Sequence, residues 1–239
     1  EFGSDKFDIY WFDNPKYLEH IISCEKFEYA QFFRRGAWSD EGIDLYTEYL
    51  RKNNITTNLC SGVDSNKLIR VFLKKGMLDN VMSTSISPSS WTTDLAEEFA
   101  RKIGTAQISL DKLKNSSFIF KENPIILKGV IEAKRFDLLS AFDVYRNAWT
   151  SDNIDLFVST ASEIINSGEE INIIDKLLRR EEVYIGFIKN GICNFADLMD
   201  INLAHSVVKN PESYEVMVNS IVDIYKCGKT NSFFEHNLF

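Results

Sequence analysis

The spacing of apolar residues predicts several amphipathic helices along this chain. Leu18, Ile21 and Ile22 recur at helical spacing after an Asn14-Pro15 pair, which is typical of a helix start. Later segments show the same periodicity. Further helices are predicted over residues 42–53, 64–75, 91–102 and 211–226, with mostly helical structure over residues 140–179.

Period-two alternation of side chains predicts strands between these helices. Over residues 27–36, Phe27, Phe33 and Arg35 share one face of an extended segment. We find no internal repeat and no Gly/Ser-rich linker, so the pattern favours a single α+β domain. Further strands are predicted over residues 79–87, 106–110, 125–133 and 182–188.

Composition and charge exclude some classes of function. A hydrophobic fraction of 44% supplies a core, and the net charge of −8 disfavours broad binding to nucleic-acid phosphates. No run of apolar residues approaches the roughly 20 that a spanning helix needs. We therefore expect no membrane partner and a cytoplasmic location, with which injection into a host cell as an effector is compatible. Residues 1–4 resemble a cloning scar, so the expected domain covers residues 5–239.

The cysteines and histidines do not form a recognisable metal motif. No C-x-x-C pair occurs, and the histidines lie far from one another along the chain. We therefore expect no metal site and free, mostly buried thiols. The residues concerned are Cys24, Cys60, Cys193 and Cys227, and His20, His205 and His236.

Three short motifs stand in chain order on predicted strands. The motifs are Phe33-Arg34-Arg35-Gly36, Ser83-Thr84-Ser85 and Arg180-Glu181-Glu182-Val183. With this order and spacing, the sequence resembles the mono-ADP-ribosyltransferase family of the Arg–Ser–Glu class over about residues 27–188. An Ala-x-x-Phe pattern within residues 94–100 also matches that family. Each motif alone is weak, and the resemblance depends on their order and strand context.

The resemblance implies a fold and a substrate. The expected fold is α+β, with split mixed β-sheets, flanking helices, a helical insertion and a C-terminal helical extension. Its core would cover about residues 27–190 and its extension about residues 195–239. NAD would be the substrate, without a metal, and the family association is with toxins, effectors and virulence proteins.

The residue types in these motifs suit cleavage of the nicotinamide–ribose bond. A carboxylate stabilises the positive charge that develops on the ribose, as carboxylates do in glycoside cleavage. An arginine makes charge-assisted hydrogen bonds to the pyrophosphate, and small hydroxyl groups can bond the ribose. The motifs therefore predict a transferase that acts through an oxocarbenium-like transition state.

Strand parity selects between neighbouring candidates. Arg35 shares its predicted face with aromatic residues, whereas Arg34 points the other way. Glu182 lies on the less apolar side of its predicted strand, unlike Glu181. The predicted catalytic residues are Arg35, Ser83 and Glu182, and the predicted NAD-binding residues are Arg35, Gly36, Ser83, Thr84, Ser85, Trp91 and Phe99. For the two aromatic members of this set the pattern favours core packing over stacking on nicotinamide, because Phe99 belongs to the apolar stripe of its helix.

The acceptor of the ADP-ribose is left open by one departure from the family. Arginine-modifying members carry a second glutamate two positions before the catalytic one, and here that position is Arg180. We therefore expect a macromolecular acceptor other than arginine, with protein favoured over nucleic acid. The alternatives are NAD hydrolysis and a catalytically silent fold that serves as a protein-interaction module.

Overall fold

A computed structural model describes residues 9–56, 60, 62–84, 88–108, 110–114, 116, 121–142 and 147–167, and residues 182, 183, 186, 190, 215 and 219. These residues form α-helices joined by short 3₁₀-helices. The α-helices are α1 (Pro15–Ser23), α2 (Asp40–Lys52), α3 (Ser65–Lys74), α4 (Leu78–Ser83), α5 (Thr93–Thr105), α6 (Leu110–Lys114), α7 (Pro124–Glu132) and α8 (Ser151–Asn166). The 3₁₀-helices are Ile9–Asp13, Phe27–Phe32, Arg35–Ala37, Pro88–Ser90 and Phe136–Ala141.

The expected α+β fold with split mixed β-sheets is wrong. No strand occurs among the residues listed above, and three predicted strands are helical instead. Residues 27–32 form a 3₁₀-helix, residues 78–83 form α4, and residues 124–132 form α7. The predicted helices near residues 15–23, 42–53, 64–75 and 91–102 are confirmed.

The aromatic segment that starts at Phe27 shows why the strand prediction failed. Phe27, Ala30 and Phe33 are buried, whereas Tyr29 and Phe32 are exposed. This burial follows a period of three, which is the period of a 3₁₀-helix, and not the period of two that a strand requires. Aromatic residues occupy both faces, so the sequence allowed either reading.

The strand prediction over the β-branched residues 125–133 was wrong for a different reason. Residues such as Ile125, Ile126 and Val130 favour strands intrinsically. However, Pro124 begins α7, where the missing N–H of proline costs nothing, and α7 packs against α8. Tertiary burial of its apolar residues therefore outweighs the local propensity.

The chain divides into two compact units, residues 1–123 and residues 124–239. In the first unit, α2 packs against both α1 and α3, and α3 also contacts α4 and α5. In the second unit, α7 packs against α8 and against the 3₁₀-helix Phe136–Ala141.

One helix-pair motif occurs three times in the part of the chain that the structure describes. Each copy contains a first helix, a short helical turn, and a second helix that follows a tryptophan. This corrects our expectation of no internal repeat. The first repeat covers residues 14–52, the second residues 64–105 and the third residues 123–166. The first two lie in the first unit, and both helices of the third lie in the second unit.

The first helix of each repeat ends in the same backbone motif. The second residue after the helix has a positive φ, namely 58° at Glu25, 70° at Gly76 and 56° at Lys134. The next residue donates its N–H back across the turn: Lys26 to Ile21, Met77 to Phe72 and Arg135 to Val130. This is the Schellman arrangement, which satisfies carbonyl groups at a helix end and directs the chain into the following helical turn.

The second helix of each repeat begins with a tryptophan and a hydroxyl residue. Ser39 accepts a hydrogen bond from the Gly42 N–H at 2.9 Å, and Thr150 accepts one from Asn153 at 3.3 Å. In each repeat, the aromatic residue eight positions after the tryptophan packs against the indole ring. The centroid distances are 5.2 Å for Trp38–Tyr46, 5.2 Å for Trp91–Phe99 and 5.7 Å for Trp149–Phe157.

Short identities accompany the structural match between the first and third repeats. Asn14-Pro15 matches Asn123-Pro124 at the start of the first helix. Arg-Gly-Ala-Trp-Ser at residues 35–39 matches Arg-Asn-Ala-Trp-Thr at residues 146–150. Because the spacing between copies is unequal, no fixed period appears in the sequence.

Candidate functional site

A polar hollow of about 430 Å³ lies in the first unit, where the start of α3 approaches the segment around Arg35. It is open to solvent along one side. The lining contains no histidine or cysteine, so its residues do not form a nucleophile–imidazole pair. The lining residues are Arg35, Gly62, Val63, Asp64, Ser65, Asn66, Ser89 and Ser90.

Asp64 joins the two sides of the hollow. Its carboxylate caps α3 by accepting hydrogen bonds from the N–H groups of Asn66 at 3.0 Å and Lys67 at 3.2 Å. The other carboxylate oxygen accepts a hydrogen bond from the Arg35 guanidinium. Asp64 therefore holds the Arg35 side chain against the helix N-terminus.

The pKa of Asp64 reflects competing influences. Burial is the largest single influence and raises the pKa, but the hydrogen bonds from the Lys67 N–H and from Arg35 together outweigh it. The pKa is therefore lower than its ordinary value of 3.8. Asp64 stays ionised at neutral pH, so the Arg35 charge stays paired.

Gly62 is required by a close approach of two backbone segments at the hollow. A Cβ atom at this position would lie 2.2 Å from the carbonyl oxygen of Phe33. No real side chain tolerates that distance, so any other residue would push the two segments apart. Gly62 therefore allows the segment before α3 to lie directly against the Phe33 carbonyl.

The predicted serine motif lies elsewhere in the first unit. The Ser83 hydroxyl donates to the Asp79 carbonyl at 2.6 Å at the end of α4, and buried Thr84 donates to the Asn80 carbonyl at 2.6 Å. Neither residue lines the hollow. Ser85 lies outside the described residues.

The remaining predicted residues either have structural roles or do not line the hollow. Trp91 packs on fully buried Phe99, so this pair forms core rather than an exposed stacking surface. Gly36 lies beside Asp13 and outside the hollow lining. Glu182 is an exposed helical residue of the second unit.

The structure therefore brings Arg35 together with Ser89 and Ser90, but not with Ser83 or Thr84. Sequence reasoning missed Asp64 and Asn66 as lining residues. The helix predicted over residues 64–75 already implied an N-cap at Asp64, and that signal could have identified it.

A second feature of the first repeat is a set of exposed aromatic side chains. The rings of Trp11 and Tyr17 stack with centroids 4.8 Å apart, although both residues are largely exposed. Tyr29 and Phe32 lie three residues apart on a 3₁₀-helix and therefore share one face. Exposed aromatic clusters of this kind are typical of interaction surfaces.

Two further properties limit the chemistry of the described residues. They contain no helix with the length and apolar character to cross a membrane. They also contain no cluster of three or more histidine, cysteine, aspartate or glutamate side chains suited to a metal ion.

Comparison with known protein families, with curated proteins and with solved structures finds no match to this chain.

Proposed function

We propose that this chain is a helical-repeat scaffold that binds a partner protein and is catalytically silent. The observation that carries the proposal is the helix pair that occurs three times in the described residues. Repeated helix pairs pack side by side, and they typically present continuous surfaces for macromolecular partners. The exposed aromatic residues of the first repeat supply the kind of side chain that dominates protein interfaces.

Transfer of ADP-ribose from NAD stays a prediction and is the second candidate. The resemblance behind it depended on three strands, which the described residues do not contain. Arg35 is compatible with phosphate binding because its side chain lines a hollow, but one N–H edge of its guanidinium is already hydrogen-bonded to Asp64. The expected toxin or effector role, and injection into a host cell, depended on the same resemblance and also stay predictions.

One experiment separates these candidates. The purified chain is incubated with labelled NAD and a cell extract, and released nicotinamide, free ADP-ribose and labelled macromolecules are measured. We expect no turnover above the buffer control. Under the same conditions, immobilised chain should retain a protein that forms a stoichiometric complex when it is purified separately and titrated.

Matched variants show whether any NAD turnover depends on the predicted catalytic residues. If NAD is consumed, Glu182→Ala and Arg35→Ala should abolish turnover, whereas the adjacent Arg34→Ala should not. NAD turnover with that pattern would overturn the scaffold proposal and support the transferase or the hydrolase, according to whether label reaches a macromolecule. The absence of both turnover and a reconstituted complex would also contradict the scaffold proposal.

A further inference from the structure

The first repeat exposes a position that is buried in the second. The shared Schellman ends align Glu25 with Gly76, and this alignment matches Tyr17 with Leu68. Tyr17 is 42% exposed, whereas Leu68 is 1% exposed. The matching residue of the third repeat, Ile126, is 0% exposed.

The short helical turn shows the same difference. Tyr29 matches Asn80 in the second repeat and Leu138 in the third. Tyr29 is 52% exposed, whereas Asn80 is 5% and Leu138 is 0% exposed. Two neighbouring elements of the first repeat therefore expose aromatic residues at positions that the other repeats bury.

In the second repeat, the preceding helix α2 covers this side. Asn80 donates its side-chain N–H to the Ile55 carbonyl, just after α2, at 2.8 Å. Lys67 donates to the Asp40 carboxylate, in the first turn of α2, at 2.6 Å. This side of the second repeat is therefore the surface that receives a helix.

The equivalent surface of the first repeat, which we call the stacking face, consists of Lys16, Tyr17, His20 and Tyr29. All four residues are exposed, and Trp11 extends the surface by stacking on Tyr17. Large aromatic residues that are exposed at positions buried in the other two repeats indicate a surface that a partner covers.

We propose that the stacking face binds an acidic amphipathic helix of a partner protein, in the way that α3 receives α2. This proposal rests on the scaffold function and names its surface and partner class. Lys16 matches Lys67, which pairs with Asp40. The exposed Lys16 ammonium lies 3.4 Å from Glu19, and a carboxylate in the first turn of the partner helix would give it a second partner, as Asp40 does for Lys67. The α2 helix of a second copy is already packed between α1 and α3, so a second copy does not supply this helix.

The test uses a labelled peptide of residues 38–55 as the probe, because this segment contains α2 and its cap. Fluorescence anisotropy of the peptide is followed as the full chain is added. We expect saturable binding that Tyr17→Ser, Tyr29→Ser and Lys16→Glu each weaken by about tenfold. Leu45→Ser is the matched control, since Leu45 is 41% exposed but lies on α2 itself.

Charge reversal makes the test specific. An Asp40→Lys peptide should bind the wild-type chain weakly and the Lys16→Glu chain strongly, because the ion pair is restored with opposite signs. Circular dichroism of each variant checks that the helices are retained. Absence of saturable binding, or binding that the three substitutions and the reversal leave unchanged, would overturn the proposal.

Other outcomes distinguish this proposal from the scaffold function. A reconstituted partner whose affinity is unchanged by the three substitutions would overturn the stacking-face proposal and leave the scaffold function standing. Self-association that Tyr17→Ser removes, measured by light scattering, would assign the face to a second copy and overturn the partner helix. If neither peptide nor partner binds, both proposals fail.

Discussion

Several polar side chains that suggest catalysis are held by local hydrogen bonds. Arg35 is paired with Asp64, and the Ser83 hydroxyl is bonded to the carbonyl of Asp79 in its own helix. A serine hydroxyl at a helix end commonly donates a hydrogen bond to a carbonyl of the preceding helical turn. These contacts account for both residues without a substrate, and Arg35 also recurs in sequence at Arg146 before the third tryptophan.

The thiol of Cys60 provides a test of the core at the residue scale. Burial raises the pKa of Cys60 from 9.0 to about 11, although a hydrogen bond with Tyr46 acts to lower it. At pH 8, roughly one Cys60 thiol in a thousand is therefore a thiolate. We expect iodoacetamide to modify exposed Cys24 rapidly and Cys60 only after denaturation, as measured by peptide mass spectrometry.

The same pKa gives a dependence of stability on pH. The folded chain holds the Cys60 proton more tightly than the unfolded chain does. The stabilisation of the folded chain by this difference in pKa is therefore fully present below about pH 9, and it is lost as the pH rises towards 11. Modification of Cys60 as fast as that of Cys24 under native conditions would contradict the buried position.

Among the elements, the ends of the three first helices share one backbone conformation but not one residue type. In the three first helices, the residue with positive φ is glycine only at Gly76; Glu25 and Lys134 occupy the same conformation at a cost. The capped starts are partly local: Ser39 and Thr150 each accept a hydrogen bond from an N–H group three residues ahead, while the Ser39 hydroxyl also donates to the Glu19 carboxylate on α1 at 2.7 Å.

Paired substitutions at these ends should shift stability in opposite directions. Gly76→Ala should lower the free energy of unfolding by about 1 kcal/mol, because alanine is strained at a φ of 70°. No steric clash adds to this cost, since a Cβ atom there meets nothing within 4 Å. Lys134→Gly should raise it by roughly 0.5–1 kcal/mol, because a strained left-handed residue is relieved. Urea unfolding followed by circular dichroism measures both.

Gly36→Ala is the control for this pair. Gly36 does not have a positive φ, and the nearest atom to an added Cβ is 3.6 Å away, so little change is expected. If Gly76→Ala were as neutral as Gly36→Ala, the Schellman end would not constrain the first helix of the second repeat.

For the whole molecule, the two compact units contain versions of one helix pair. The indoles of Trp38 and Trp149 are buried in equivalent places, and neither N–H finds a hydrogen-bond partner within the described part of the chain. Each indole ring therefore stabilises its unit through its buried apolar area and through its contact with Tyr46 or Phe157.

Removal of one tryptophan should loosen one unit. Trp149→Ala should cost about 3–5 kcal/mol, because a large buried ring is lost, and should accelerate amide hydrogen exchange in α7 and α8. Exchange in α1 and α2 should stay at the wild-type rate, and Trp38→Ala should give the reverse pattern. Trp149→Phe should cost less, since the indole N–H is unpartnered. Faster exchange across both units in either alanine variant would show that the units unfold together.

The periodic helices were predictable from sequence, whereas the segments read as strands were not. The helical spacing of Leu18 and Ile22, together with the Asn14-Pro15 start, predicts α1 correctly because all of these signals are local. Phe27–Phe32 and Pro124–Glu132 contain aromatic or β-branched residues that suit either state. Their conformation depends on which neighbouring helix buries them, and a single sequence does not contain that information.

The sequence by itself determined four of the helices and their amphipathic faces, because caps and apolar spacing act over a few residues. Tertiary structure alone decided that Arg35 pairs with Asp64, that Gly62 approaches Phe33, and that Tyr17 is exposed where Leu68 is buried. These contacts join residues that are distant along the chain, so they exist only once the helices have packed.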